Sequence, residues 1–137
     1  MRRVLPLLAV CVLLAGCGYA GTASPTAEKV IGPLPKAAAV PKGDAAKGKT
    51  LFKSNGCGGC HVFKPAGSKG KVGPDLDKLA ADAQKANQGS VEQYAFTSIK
   101  NPSSYVVPGY PNGVMPNYGA QLSDKQIADL VAFLTKK

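Results

Sequence analysis

Cys57-Gly58-Gly59-Cys60-His61 sets two thiols on either side of a glycine pair and follows the second thiol with an imidazole. Three chemistries use such a run: a zinc site, a dithiol redox centre and covalent haem attachment. Zinc needs a fourth ligand, and His61 is the only histidine of the chain. The two other cysteines, Cys11 and Cys17, lie in the N-terminal segment, so a carboxylate would have to serve, which is rare in structural zinc sites. A dithiol centre normally accompanies a βαβ pattern, and no segment here alternates over a strand length. Haem attachment suits the spacing. Each thiol can add to one vinyl group of the porphyrin, the next residue delivers its imidazole to the iron, and Gly58 and Gly59 permit the tight backbone required. The zinc and dithiol readings stay open at this point, each lacking one of its usual companions.

Outward from this run, the sequence is punctuated for helices. Asp44 is an N-cap candidate, and Gly48, Leu51 and Phe52 fall on one helical face before Asn55-Gly56. A second helix is expected from about Leu76 to Ala86. Ser90 with Gln93 forms a capping box ahead of Val91, Tyr94, Ala95 and Ile99, in a helix that Pro102 ends. Ser123 with Gln126 forms another, and Ile127, Leu130, Val131 and Leu134 then make an apolar stripe, with Leu122 and Ile127 at the staple positions. Between the last two helices lies a long stretch broken by Pro102, Pro108, Pro111 and Pro116. Irregular loops of that length usually carry function. The expectation is an all-α domain of about four helices.

Residues 44–137 resemble the bacterial class I monohaem cytochromes c, and the likeness covers essentially the whole domain. Gly48 and Phe52 with Leu130 and Phe133 match the family's crossed terminal helices. Gly73-Pro74-Asp75-Leu76 matches the segment in which a proline carbonyl accepts a hydrogen bond from the proximal histidine, which implies a bond from His61 Nδ1 to Pro74 and packing of Leu76 on the haem. Such a bond orients the ligand and raises its basicity. Gly113-Val114-Met115-Pro116 is similar to the distal loop, so the resemblance implies His61 and Met115 as axial ligands of one haem c bound through Cys57 and Cys60. A soft thioether raises the iron's potential relative to harder ligands. The stretch from Asn101 to Leu122 also looks like haem domains fused to haem-copper oxidase subunits, which implies a terminal oxidase as a partner. Tyr105, Tyr110 and Tyr118 are expected to pack rather than to bind propionates.

The N-terminus reads as an export signal. Arg2 and Arg3 precede an apolar run from Val4 to Ala15, shorter than the ~20 residues of a transmembrane helix. Leu14-Ala15-Gly16-Cys17 resembles the lipobox of bacterial lipoproteins, which implies cleavage after residue 16 and lipidation of Cys17, several acyl chains anchoring where one alone binds marginally. Residues 17–43, with Pro25, Pro33, Pro35 and Pro41, then read as a tether with a root-mean-square span of roughly 25–30 Å as a flexible coil and a reach of ~85 Å fully extended. Loss of Cys11 with the signal and use of Cys17 for lipid leave no disulfide framework.

Charge narrows the function. The chain carries 17 basic against 8 acidic residues, a net +9 at pH 7. Removing Arg2 and Arg3 leaves 15 lysines and no arginine, which with export argues against nucleic acid. Lys47, Lys49, Lys53, Lys64, Lys69 and Lys71 lie between Asp44 and Asp75 with no acid among them. Such a ring would steer encounters with an acidic redox partner; the plainer alternative is a solvated face. The leading expectation is a monomeric single-electron carrier, exported and anchored, in a respiratory or related chain. A peroxidase-like enzyme would need distal acid-base groups, yet the segment after residue 16 has no second histidine and no arginine. A gas or redox sensor would need a displaceable Met115.

Overall fold

The computed structural model describes residues 39–136. The expected signal, Cys17 and all but the end of the tether lie outside the described residues.

Asp44 starts the first helix. Its carboxylate accepts from the backbone N–H groups of Ala46 at 2.8 Å and Lys47 at 3.2 Å, which satisfies donors that a helix start leaves orphaned. Helix α1 then runs Ala45–Ser54. A single turn, α2, covers Cys57–Cys60. After a 3-10 turn at Leu76–Lys78 come α3 (Leu79–Ala86), α4 (Val91–Lys100) and α5 (Asp124–Leu134). Both expected capping boxes are formed, Ser90 with Gln93 and Ser123 with Gln126.

The single turn α2 and the following details differ from the sequence expectation. The second helix starts three residues late, because the Asp75 carboxylate takes the Asp77 N–H at 3.0 Å and the Asp75 carbonyl takes that of Lys78. Those i to i+2 and i to i+3 closures wind the chain as a 3-10 turn before α3 begins. A small antiparallel ladder also pairs Val62–Phe63 with Ser68–Lys69 across the turn Lys64–Ala66. Two residues per strand are too few to show an alternation in sequence. The domain is otherwise helical, as expected.

The core sits where α1 crosses α5. Gly48 is buried there, and a Cβ at this position would lie 1.9 Å from the Asp129 carbonyl oxygen. Only glycine lets the two backbones approach so closely. Beside the crossing, Phe52, Phe63 and Phe133 pack as a triad with ring centroids 5.3–5.8 Å apart. Each ring is almost wholly buried, so each contributes roughly 1.5–3 kcal/mol of transfer free energy. Ile127, Leu130 and Val131 of α5 fill the remainder. At the far end, Lys100 in the last turn of α4 meets Asp124 in the first turn of α5 at 2.6 Å. Packing also reaches back to Val40, which lies against the core. Among the described residues no helix is long and apolar enough to cross a membrane.

Candidate functional site

The glycine pair lets residues 57–60 close one helical turn, and the His61 N–H completes it by donating to the Cys57 carbonyl at 3.0 Å. His61 itself is extended, at φ −111° and ψ 138°, and its imidazole lines the same cleft as the two thiols. The Gly73 N–H donates to the Cys60 carbonyl at 2.9 Å and draws the following segment onto the motif. His61 Nδ1 then lies 2.7 Å from the Pro74 carbonyl oxygen. A carbonyl can only accept, so Nδ1 carries the proton and Nε2 is the free lone pair of the neutral ring. Glycine is required at 73: a Cβ there would stand 2.5 Å from His61 Cε1.

These groups open onto one cleft with about 1220 Å³ of empty space, counting its mouth. Cys57, Cys60, His61, Pro74 and Leu76 line it from one segment of the chain, and Met115 from the long loop before α5. Leu79, Ala95 and Ile99 make much of its remaining surface apolar. Met115 is half-buried between exposed Val114 and Pro116. The loop carrying it is tied back to α1, because the Tyr118 hydroxyl donates to the Asn55 carbonyl at 3.1 Å. Tyr105 stands edge-on to Tyr94 at 5.9 Å.

Burial pushes the Cys57 thiol above its ordinary pKa, its own backbone hydrogen bond pulls it partly back, and the charge of Cys60 adds to the rise. Burial likewise raises the Tyr118 phenol. Among the described residues no three of His, Cys, Asp or Glu gather as a metal-binding group. A flat porphyrin fits the residues present: two thiols at its edge, an imidazole with the tautomer that frees Nε2, a thioether on the same cleft, and apolar walls between them.

The structure therefore brings Cys57, Cys60, His61, Pro74, Leu76 and Met115 around one cavity. Sequence reasoning missed the Tyr118–Asn55 tie, which joins residues 63 positions apart, and Asp82, which lines the cleft from α3. The aromatic residues clustered in the loop were the only signal for the first. No local signal marked the second.

The profile of a protein family described as Cytochrome c matches residues 45–136. The chain is 34% identical over 108 residues to a cytochrome c of Theileria annulata, covering 69% of this chain and 87% of that protein. It is 30% identical over 112 residues to a cytochrome c of Tetrahymena pyriformis, covering 75% of this chain and 97% of that one. A cytochrome c6 of Gloeothece citriformis is 30% identical over 95 residues, with 69% and 73% covered.

Proposed function

The chain belongs to the cytochrome c family, and from that premise we propose an exported, lipid-anchored carrier whose haem iron is held by His61 and Met115. Its coarser character follows from membership: it carries electrons, it is not an enzyme, and it binds haem c covalently through Cys57 and Cys60. When bound, the haem supplies a one-electron couple at its iron. The chain's own residues set the conditions under which that couple works.

The observation that carries the ligand assignment is the 2.7 Å contact of His61 Nδ1 with the Pro74 carbonyl. It holds the ring in the tautomer whose Nε2 can bind iron, and the shared hydrogen bond makes that nitrogen a better donor. Met115, on the same cleft, supplies a soft sulfur that favours the reduced state. Leu76 and the apolar wall would limit water around the bound haem. With His61 and Met115 both holding the iron, the bound haem would exchange single electrons and no substrate site would be needed.

Placement in the cell rests on the N-terminus. The basic pair Arg2 and Arg3, the apolar run and Leu14-Ala15-Gly16-Cys17 support cleavage after residue 16 and lipidation of Cys17. Residues 17–43 would then tether the domain at the outer face of the cytoplasmic membrane or in the periplasm. Lys47, Lys49, Lys53, Lys64, Lys69 and Lys71 are all exposed. They support docking with redox proteins that carry acidic surfaces, a terminal oxidase among them, in a respiratory or related chain.

Visible spectra of the holoprotein test the ligand assignment. Sharp reduced bands, a weak far-red methionine-to-ferric-iron band and indifference to carbon monoxide are expected. Absence of the far-red band with prompt carbon monoxide binding overturns Met115 as ligand and favours a sensor.

A further inference from the structure

One carboxylate on the cleft has no part in the electron-carrier reading above. Asp82, on α3, lines the cavity shared by Cys57, His61 and Met115 and is half-buried. From α4, Tyr94, 4% exposed, and Ser98 line the same cavity. Burial pushes the Tyr94 phenol up first. The charge of Asp82 adds to that rise, then that of Tyr105, while a hydrogen bond with Ser98 pulls it back. Asp82 therefore acts electrostatically on the interior of the cleft as well as on solvent.

No ion pair among the described residues holds its charge. Among the described residues no lysine or arginine lines this cleft, although the chain has 17 basic residues. The ion pairs among the described residues are Lys78–Asp75, Lys100–Asp124 and Lys125–Asp129. Asp82 belongs to none of them, although Lys78 and Lys85 stand one helical turn to either side of it. The other carboxylate on the cleft, Asp75, is occupied by its bond to the Asp77 N–H and its ion pair with Lys78.

We propose that Asp82 sets the reduction potential: its carboxylate on the α3 wall of the cleft stabilises the oxidised haem and lowers the midpoint. The inference rests on the reading of this cleft as the haem site. Reduction adds one electron to the iron and changes no bond, so the reduced centre carries one positive charge fewer. A fixed negative charge facing it across apolar walls opposes that step, and low polarity weakens the effect less than water would. Asp82 acts on the iron through space and is a tuning residue, not a ligand.

The test is spectroelectrochemistry of the holoprotein and three variants. Asp82→Asn removes the charge; Glu92→Gln removes the same charge from an exposed site on α4 that does not line this cleft. Asp82→Glu keeps the charge and should stay near the parent midpoint. Asp82→Asn should raise the midpoint by the equivalent of roughly a three- to tenfold change in the one-electron equilibrium, tenfold being about 59 mV. Glu92→Gln should move it far less. The Asp82→Asn shift should persist at high salt, where the screening length falls to about 3 Å at 1 M.

Equal shifts for Asp82→Asn and Glu92→Gln overturn the proposal, as does a shift that salt abolishes. If Asp82→Asn disturbs the far-red band, Asp82→Glu against Asp82→Gln repeats the charge comparison at matched size, and equal midpoints there overturn it. Failure of the haem-site reading itself shows separately, as a parent protein without the c-type bands.

Discussion

The Asp129 carboxylate, buried on α5, accepts a 2.6 Å hydrogen bond from the backbone nitrogen of Asp44, the residue that caps α1. The same Oδ1 takes the Lys125 ammonium one turn earlier on α5. One buried oxygen thus joins the start of the first helix to the middle of the last. It does so beside Gly48, where the two backbones touch.

That joint should be sensitive to acid. Burial alone would raise the Asp129 pKa, but hydrogen bonds from Lys125 and the Asp44 N–H, with the charges of Lys125 and Lys47, outweigh it and hold the group below its ordinary 3.8. A depressed folded value means the unfolded chain binds the proton more readily. The contribution is therefore complete well above pH 3.8 and is lost as pH falls through the lower folded value. Denaturant unfolding of the holoprotein at stepped pH should show it. Asp129→Ala should cost about 1–3 kcal/mol at pH 7, since the hydrogen bonds to a buried charged acceptor are lost, and should flatten the acid limb.

Gly48→Ala puts a methyl group 1.9 Å from the Asp129 carbonyl oxygen in the present geometry, so α1 and α5 must separate. Overpacking of this kind costs about 1–3 kcal/mol. The expected result is a lower thermal midpoint with an unchanged far-red band, because the crossing lies away from the cleft. An unchanged midpoint would show that the helices slide apart freely.

Gly73→Ala should act on the haem instead. Its Cβ would crowd His61 Cε1 at 2.5 Å and push the imidazole away from the Pro74 carbonyl. A weaker hydrogen bond would make His61, as the proposed iron ligand, a poorer donor to ferric iron, so the midpoint potential should rise and the yield of holoprotein should fall. Ring-proton shifts in the nuclear magnetic resonance spectrum of the reduced protein check the movement directly.

Met115→Ala should keep the covalent haem, lose the far-red band and bind carbon monoxide when reduced. Its potential should fall by roughly 100 mV or more, a modest part of the ~0.8 V that axial ligands span. An unchanged potential would remove Met115 from the iron.

Cys17→Ser should move the protein from the membrane to the soluble fraction of an exporting host, since lipidation is the proposed anchor. Continued sedimentation with membranes would mean that another contact holds it.

Much of this could be read along the chain. Asp44, Ser90 and Ser123 marked helix starts because a cap is a bond between residues two or three apart, and such bonds leave a short motif. The α5 stripe was legible for the same reason, as a period of one helix. Cys57, Cys60 and His61 were legible because their chemistry requires adjacency. Pro74 and Met115 entered the expected site through resemblance to a family, since neither residue type stands out locally. The 62–69 ladder was too short to leave a pattern, and the start of α3 shifted because Asp75 offered its neighbours a tighter closure.

The local order of the chain determined the haem-binding run, the caps and the helical class, because each depends on residues within a few positions of one another. Tertiary packing decided what meets across the fold. Asp129 reaches Asp44 over 85 positions and Tyr118 reaches Asn55 over 63. His61 finds Pro74 over 13, and α3 turns Asp82 toward the cleft. An acid in an amphipathic helix reads as a solvent-facing charge until the neighbouring helix and loop are in place. Only then do its partial burial and the lack of a basic side chain on the cleft give that charge a direction in which to act.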